Sequence, residues 1–276
     1  MGDYLLDAKS GVLTDILNLL NGIFRSGADT IAGAGVKVAA ALMLLQWFKA
    51  VALMGMTRQH LVNAMLFLIG SFCWYEAAVN IVSIADSYMS YMGSIGGAFA
   101  GSFGAGASMR NPSAIFATGL KAGGACGEII SKLSFLTGDA GLIILIVSFV
   151  VILLLVCMLL GAIAVITVVQ AYVDVIIAVA LMPFAIEPGA RFLAMPGIGR
   201  ILSAGASLGT VSTIVGAGLG LMQNAAAQIP KEGAGALRYA VNMTCASVVI
   251  ALLAGLGLFM SRMGASKLAA SASLID

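Results

Sequence analysis

The chain has 276 residues, of which 61% are hydrophobic and only 9% are charged. A soluble domain carries about 25% charged residues to solvate its surface, so this composition excludes a water-soluble domain and predicts a protein whose surface meets lipid. The net charge of +2 is too small to indicate a nucleic-acid-binding surface.

The first 30 residues are too polar to span a bilayer. A cleavable signal peptide needs a basic start and a continuous apolar core, whereas this segment carries four aspartates, Asp3, Asp7, Asp15 and Asp29. From Gly11 to Phe24, apolar residues recur at helical spacing with polar residues opposite them. We therefore predict that residues 1–30 form an amphipathic N-terminal segment, with a helix that lies at an interface or against partner helices.

Two membrane-spanning helices are predicted within residues 31–92. The first, Ile31–Met56, contains Lys37 and Lys49, each close enough to a helix end for its charge to reach the interface. The second runs from Leu61 to about Ala85. A polar stripe begins in it and continues beyond it at steps of three and four residues: Glu76, Asn80, Ser83, Ser87 and Ser90. Such a stripe cannot face lipid cheaply, so it either lines a polar path or bonds to other helices.

Residues 93–138 are predicted to be the main segment outside the membrane. Six glycines mixed with Ser and Ala open it, and Asn111-Pro112 marks a turn. The remainder, Ser113 to Thr137, is expected to form short helices. The basic residues of segment 93–138 are Arg110, Lys121 and Lys132. They either contact a passing substrate or are solvated loop charges. The second interpretation is favoured because dispersed charges do not form a continuous phosphate-binding surface.

The region 139–276 completes a single membrane domain. No charged residue occurs from Ala140 to Val173, and the apolar pattern continues past Asp174 to Ile186. This is too long for one simple crossing, so the block is one long protruding helix or a hairpin broken near Gly161. The absence of a proline or polar turn at its middle favours the long helix.

Asp174 is the strongest candidate for a charge inside the membrane. A carboxylate there needs a partner, which Lys37, Lys49 or a neighbouring subunit could supply. Alternatively, Asp174 lies at the membrane surface on a protruding helix.

Prolines and glycines punctuate the chain after this block, and Arg191 and Arg200 are expected in the resulting loop. Two further spans are predicted, Ile201–Pro230 and Tyr239–Ser261. The first contains pairs of glycines four residues apart, a spacing that lets helices approach closely. These pairs are Gly205 with Gly209 and Gly216 with Gly220. We expect them to mediate helix packing and self-association.

Five spans in all place the short basic segments on one side. By the positive-inside rule this side is cytoplasmic, and residues 93–138 lie on the other. The basic residues concerned are Arg58, Arg191, Arg200, Arg262 and Lys267. A six-span arrangement, which would put the last four outside, is the alternative.

No enzymatic site is predicted. His60 is the only histidine, and it has no acidic residue near it in sequence. The four cysteines, Cys73, Cys126, Cys157 and Cys245, are far apart and form no CxxC pair. We therefore expect no metal site and no cofactor. A small-molecule or ion transporter or channel subunit is the alternative function, although the two halves of the chain lack the internal repeat typical of transporters. A lipid-facing scaffold without a passage is a third possibility.

The stretch Gln170–Phe192 resembles a segment of the TrbL/VirB-six family, in which a span ends in small residues, Pro-Phe and a turn towards basic residues. In this chain those features are Pro183, Phe184, the Glu187-Pro188-Gly189 turn and Arg191. The layout is also similar over nearly the whole chain, with an amphipathic start, two spans, a Gly-rich loop and a cluster of spans. Some members carry a large hydrophilic C-terminal extension, and we expect none after the last span.

This resemblance implies a fold and a function. The fold is an all-α polytopic membrane bundle of about five transmembrane helices with an N-terminal amphipathic helix, located in the bacterial inner membrane. The function is that of a non-enzymatic subunit of a type IV secretion or conjugation apparatus, forming a platform or channel for pilus assembly and translocation of DNA or protein. The partners it implies are lipids, further copies in a ring for which fivefold symmetry is one candidate, a minor pilin, the pilin, a periplasm-spanning scaffold and ATPases. Contact with DNA or protein substrate would be transient.

Overall fold

The computed structural model describes residues 11–54, 58–102, 112–131, 140–226 and 233–272. These residues contain α-helices and two 3₁₀ helices and no strand, which confirms the all-helical fold. The α-helices are α1 (Val12–Met54), α2 (Arg58–Val79), α3 (Ile81–Ser102), α4 (Pro112–Ile130), α5 (Ala140–Leu181), α6 (Arg191–Ala226) and α7 (Gly233–Ala272). The 3₁₀ helices are Met182–Ile186 and Pro188–Ala190, between α5 and α6.

Five of the described helical stretches are long and apolar enough to cross a membrane, as the sequence predicted. They are Leu13–Ala52, Val62–Val79, Ala140–Ile186, Pro188–Asn224 and Leu237–Ser261. The helices α3 and α4 are not among them. Among the five spans, the one in α6 is the most enclosed by protein, because 61% of its most apolar stretch is buried.

α1 joins two elements that the sequence analysis treated separately. The amphipathic segment and the first span form one helix of 43 residues, which runs through the boundary predicted at residue 30. Its isolated glycines do not interrupt it, because a single glycine costs a helix only about 1 kcal/mol relative to alanine. The division of the chain at residues 30, 92 and 138 stays a prediction.

α2 and α3 meet at Asn80 with little interruption of the helical hydrogen-bond ladder. The Asn80 N–H donates to the Glu76 carbonyl (3.1 Å), and the Ile84 N–H donates to the Asn80 carbonyl (3.0 Å). These are the i to i−4 bonds of an α-helix. Helical structure therefore continues to Ser102, well past the end predicted near Ala85.

α5 is a single helix of 42 residues, which confirms the long helix favoured over a hairpin at Gly161. The chain then turns through the two 3₁₀ helices, where Pro183 and Pro188 occupy first-turn positions that need no N–H donor. α6 begins at Arg191 and contains Pro196. The prediction that Arg200 lies in a loop was wrong.

Helix α6 continues through Pro196, which lies in its second turn. There the missing N–H removes one bond near the helix start. The next residue, Gly197, packs closely on α5, so that a Cβ at this position would lie 3.1 Å from Ala178 Cα. This close packing holds the early part of α6 in helical form.

The chain divides into two compact units. Unit 1 comprises the described parts of residues 11–19, Tyr91–Val169 and Ser207–Met260. Its largest fully buried side chains include Ile115, Ile146, Leu153, Leu160, Leu219 and Met222.

Unit 2 comprises the described parts of Leu20–Ser90 and Gln170–Ala206, with the C-terminal part of α7. Its core joins α1, α2, α3, α5, the first 3₁₀ helix and α6. The buried members are Ala39, Ala78, Ile81, Ala85, Val175, Ala178, Val179, Met182, Ile186 and Ile201.

One glycine pair in α6 allows a matched test of packing. A Cβ at Gly205 would overlap the ring of Tyr88, whereas a Cβ at Gly209 would make ordinary contacts with Met92 at 3.6 to 3.8 Å. We predict that Gly205→Ala destabilises the protein by about 1–3 kcal/mol through overpacking. Gly209→Ala should be neutral or stabilise by up to about 1 kcal/mol, because alanine is the better helix former.

Thermal unfolding of the two purified variants in one detergent would measure the difference. Equal melting temperatures would show that the Tyr88 ring moves away freely.

Candidate functional site

The candidate functional site is a group of charged and polar side chains in unit 2, around the turn between α5 and α6. We call it the turn cluster: Gln46 and Lys49 of α1, Trp74 of α2, Asp174 of α5, Glu187 in the turn, and Arg191 and Arg200 of α6. Within the described part of the chain, two of the three ion pairs belong to it.

Asp174 pairs with Arg200 across the antiparallel helices α5 and α6. The Arg200 Nη1 donates to Asp174 Oδ1 at 3.2 Å, and about a quarter of the Asp174 side chain (23%) remains exposed. The close contact of Gly197 with Ala178 lies about one turn away on both helices and brings the two charges within reach. The structure thus gives Asp174 a partner different from the Lys37 or Lys49 suggested by the sequence.

Glu187 joins the turn to α1. Its carboxylate accepts hydrogen bonds from the Lys49 ammonium group at 2.9 Å and from the Gln46 amide nitrogen. Gln46 and Lys49 are three residues apart and therefore share a helix face. Gln46 is fully buried, so its amide depends on a protein partner instead of water.

Arg191 joins the turn to α2. Its Nε donates to the carbonyl oxygen of Ala185 at 3.1 Å. Its guanidinium carbon lies 5.9 Å from the centre of the Trp74 ring, within the range of a cation–π interaction. α2 also packs against the first 3₁₀ helix, so the turn is held from two sides.

Two other contacts in unit 2 lie outside the turn cluster. Arg25 and Asp86 form an ion pair at 3.6 Å with both side chains well exposed, and such pairs contribute little to stability. Phe24 stacks on Tyr172 with ring centres 6.1 Å apart and planes nearly parallel.

The predicted polar stripe lies on the outside of the described structure. Glu76, Asn80, Ser83 and Ser87 are all exposed. Asn80 also donates to the Glu76 carboxylate at 3.3 Å, so these two residues partly satisfy each other. The stripe is therefore available to a neighbour that is not part of this chain.

The four predicted packing glycines are all buried within the chain. Gly205 and Gly209 face Tyr88 and Met92 of the same chain, and Gly216 and Gly220 are also buried. The Tyr88 hydroxyl donates to the Leu202 carbonyl at 3.4 Å. Burial raises the pKa of this phenol above its ordinary value, so the hydroxyl remains a donor.

Of the three basic residues predicted to contact a substrate, Lys121 is exposed on α4. Arg110 and Lys132 lie outside the described residues.

Sequence reasoning missed Glu187, Gln46 and the role of Arg191. Glu187 was read only as part of a Pro-Gly turn. Two signals were available. One was a carboxylate between two 3₁₀ helices, and the other was a Gln three residues before a Lys in an apolar helix. Neither signal identifies its partner, because Gln46 and Glu187 are 141 positions apart.

The geometry of the turn cluster is that of a structural lock. Each charge in it is matched by an opposite charge, an amide, a carbonyl oxygen or an aromatic face. Among the residues that the structure describes, no group of three His, Cys, Asp or Glu side chains could hold a metal ion.

The fold defines a multi-pass helical membrane protein. A family model described as TrbL/VirB6 plasmid conjugal transfer protein matches residues 38–261, well over half of the chain. The protein therefore belongs to the TrbL/VirB6 family. As a member it is a component of conjugal transfer and type IV secretion that associates with other subunits of such systems, and the family is not a known enzyme family. No curated protein matches the chain.

The turn cluster predicts unequal effects of removing its carboxylate and an exposed one. Glu187→Ala would leave the buried Gln46 amide without its acceptor, and we expect a loss of about 1–3 kcal/mol in stability. Asp86→Ala, the matched control, removes an exposed pair and should change stability by less than about 1 kcal/mol.

Both variants would be compared by thermal unfolding in detergent. A melting temperature of Glu187→Ala as high as that of the parent protein would argue against the lock.

Proposed function

We propose that the protein is an inner-membrane subunit whose copies associate side by side into a ring. The ring serves as the platform on which a conjugative pilus is assembled, and DNA or protein substrate passes through it. Membership of the TrbL/VirB6 family supports the general role. ATPases, the pilin, a minor pilin and the periplasmic scaffold on other chains would supply the remaining parts of the apparatus.

The observation that carries this proposal is the exposed polar stripe. Glu76 lies in the last turn of the span Val62–Val79, and Asn80, Ser83 and Ser87 extend the same stripe along α3. A carboxylate and an amide facing hydrocarbon are costly. Polar side chains on a different face of a neighbouring copy would supply hydrogen-bond partners, which favours contact between copies along α2 and α3.

The buried glycines support the same surface by elimination. Because Gly205, Gly209, Gly216 and Gly220 are covered by their own chain, they cannot bring two copies together. The outer face of α2 is free for this purpose among the described residues, since Met65, Leu66, Ile69 and Phe72 are more than half exposed. An apolar face with a polar end is typical of a helix that packs against another helix in a membrane.

The contact between copies can be tested by photo-cross-linking in native membranes with a benzophenone group attached to a single thiol. The background variant carries Cys73→Ser and Cys245→Ser, which removes the two exposed cysteines and leaves the two buried ones. In this background, we expect labelled Ser87→Cys to form a covalent dimer on illumination. Ser148→Cys, on the exposed side of α5, is the matched control and should remain monomeric.

A second measurement tests whether the contact between copies is needed for plasmid transfer. Glu76→Leu should weaken the cross-link through Ser87→Cys and lower plasmid transfer from a donor that lacks the native gene. Interhelical hydrogen bonds of this kind contribute about 0.6–2 kcal/mol, so association should weaken about threefold to thirtyfold. Met65→Leu, an apolar exchange on the same helix, should transfer normally. Normal transfer by Glu76→Leu, or a cross-link from Ser148→Cys alone, would contradict the proposal.

A further inference from the structure

α4 packs along the middle of α5 within unit 1. A Cβ at Gly119 would lie 2.8 Å from Cys157 Sγ, and a Cβ at Gly123 would lie 3.0 Å from Val150. At the start of α4, the Pro112 carbonyl oxygen faces Gly161. Residue numbers thus rise along α4 as they fall along α5, so the two helices are antiparallel. Their glycines allow the backbones to approach closely.

The part of α5 that faces lipid can be read from its exposed side chains. The large exposed apolar residues of α5 run from Ile144 to Val173, and we call those from Ile144 to Ile166 the apolar belt. The members are Ile144, Leu145, Val147, Val151, Ile152, Leu155, Met158, Leu159 and Ile166. At 1.5 Å per residue the belt is about 33 Å long, close to the roughly 30 Å of hydrocarbon in a bilayer. Its contacts with α4, from Val150 to Gly161, lie well inside both ends.

α4 has one exposed face, and this face is polar. Ala117, Thr118, Ala122, Ala125 and Cys126 are buried. The exposed positions are spaced along one side of the helix and are Lys121, Gly124, Gly127 and Glu128. We call this side the α4 polar face. Beside it, Thr118 accepts a hydrogen bond from the Gln223 amide of α6 at 3.3 Å.

Measured along α5, Lys121 lies deep within the level of the apolar belt. It is midway between Gly119 and Gly123, whose contacts are with Cys157 and Val150, so it lies near the level of Leu153. That level is roughly 13 Å from Ile144 and further from Ile166. A lysine side chain is shorter than this, so it cannot snorkel to the interface. Within the part of the chain that the structure describes, no carboxylate forms an ion pair with Lys121.

We propose that α4 is embedded in the hydrocarbon region and that the α4 polar face borders a water-filled space within the assembled protein. An ammonium group at this depth is stable only beside water or an anion. The placement replaces the position outside the membrane that the sequence predicted for residues 112–130. It rests on the proposed assembly in one respect, since neighbouring copies or partner subunits would enclose the water.

Thiol labelling in spheroplasts tests the two parts of this inference together. In the Cys73→Ser, Cys245→Ser background, Lys121→Cys and Gly124→Cys would be exposed to a charged, water-soluble methanethiosulfonate reagent. Leu155→Cys, on the apolar belt at a similar level, is the matched control. We expect both α4 variants to react at least about tenfold faster than Leu155→Cys, because only a hydrated thiol ionises.

Each other outcome overturns the inference. Equal inertness of all three variants would mean that the α4 polar face meets no water. Equal labelling of all three would mean that this level of α5 and α4 lies outside the membrane. Gly124→Cys guards against misfolding of the lysine variant, because a Cβ at Gly124 meets nothing within 4 Å. Normal cross-linking through Ser87→Cys with an unlabelled α4 would overturn this inference and leave the proposed ring intact.

Discussion

The reversal of the chain between α5 and α6 is the constraint on which unit 2 depends. Two long apolar helices can pack antiparallel only if the short turn between them is held against its neighbours. Glu187 holds the turn against α1 through Lys49 and the buried Gln46. Arg191 holds it against α2 through Trp74. Polar contacts are suited to this position because apolar packing between membrane helices has little directional preference. The apolar residues fill the space between the helices, and the charged residues determine the position of one helix along the other.

Glycine has a different role in each part of α6. At Gly197 it lets the helix begin close to α5, and at Gly205 it makes room for the ring of Tyr88. At Gly218 it faces Ile250 of α7. All three are contacts within the chain, so the small residues build the protomer. In the proposed ring, association between copies uses a surface that is polar and uncovered among the described residues, the stripe from Glu76 to Ser87.

The helical membrane fold could be predicted from sequence because composition and the length of the apolar runs are nearly sufficient to specify it. The particular pairings could not. Asp174 has Arg200 as its partner because Gly197 sets the helix spacing, and that contact is a tertiary fact. Pro196 suggested a loop because proline removes a helical hydrogen bond, but α6 runs through it beside the close contact of Gly197 with α5. Likewise, the spacing of the α6 glycines indicated close packing without saying which surface would pack against them.

The proposed position of α4 rests on its packing, which composition alone does not reveal. Its glycines, alanines and two charges lower its hydropathy, so the segment resembles a loop outside the membrane. Hydropathy, however, measures the preference of side chains for lipid over water, and most of α4 is surrounded by protein. A helix enclosed by other helices needs small side chains more than apolar ones. In the proposed placement, the residues left uncovered, Lys121 and Glu128, face water, because a charge held at that depth is tolerated only where it stays hydrated.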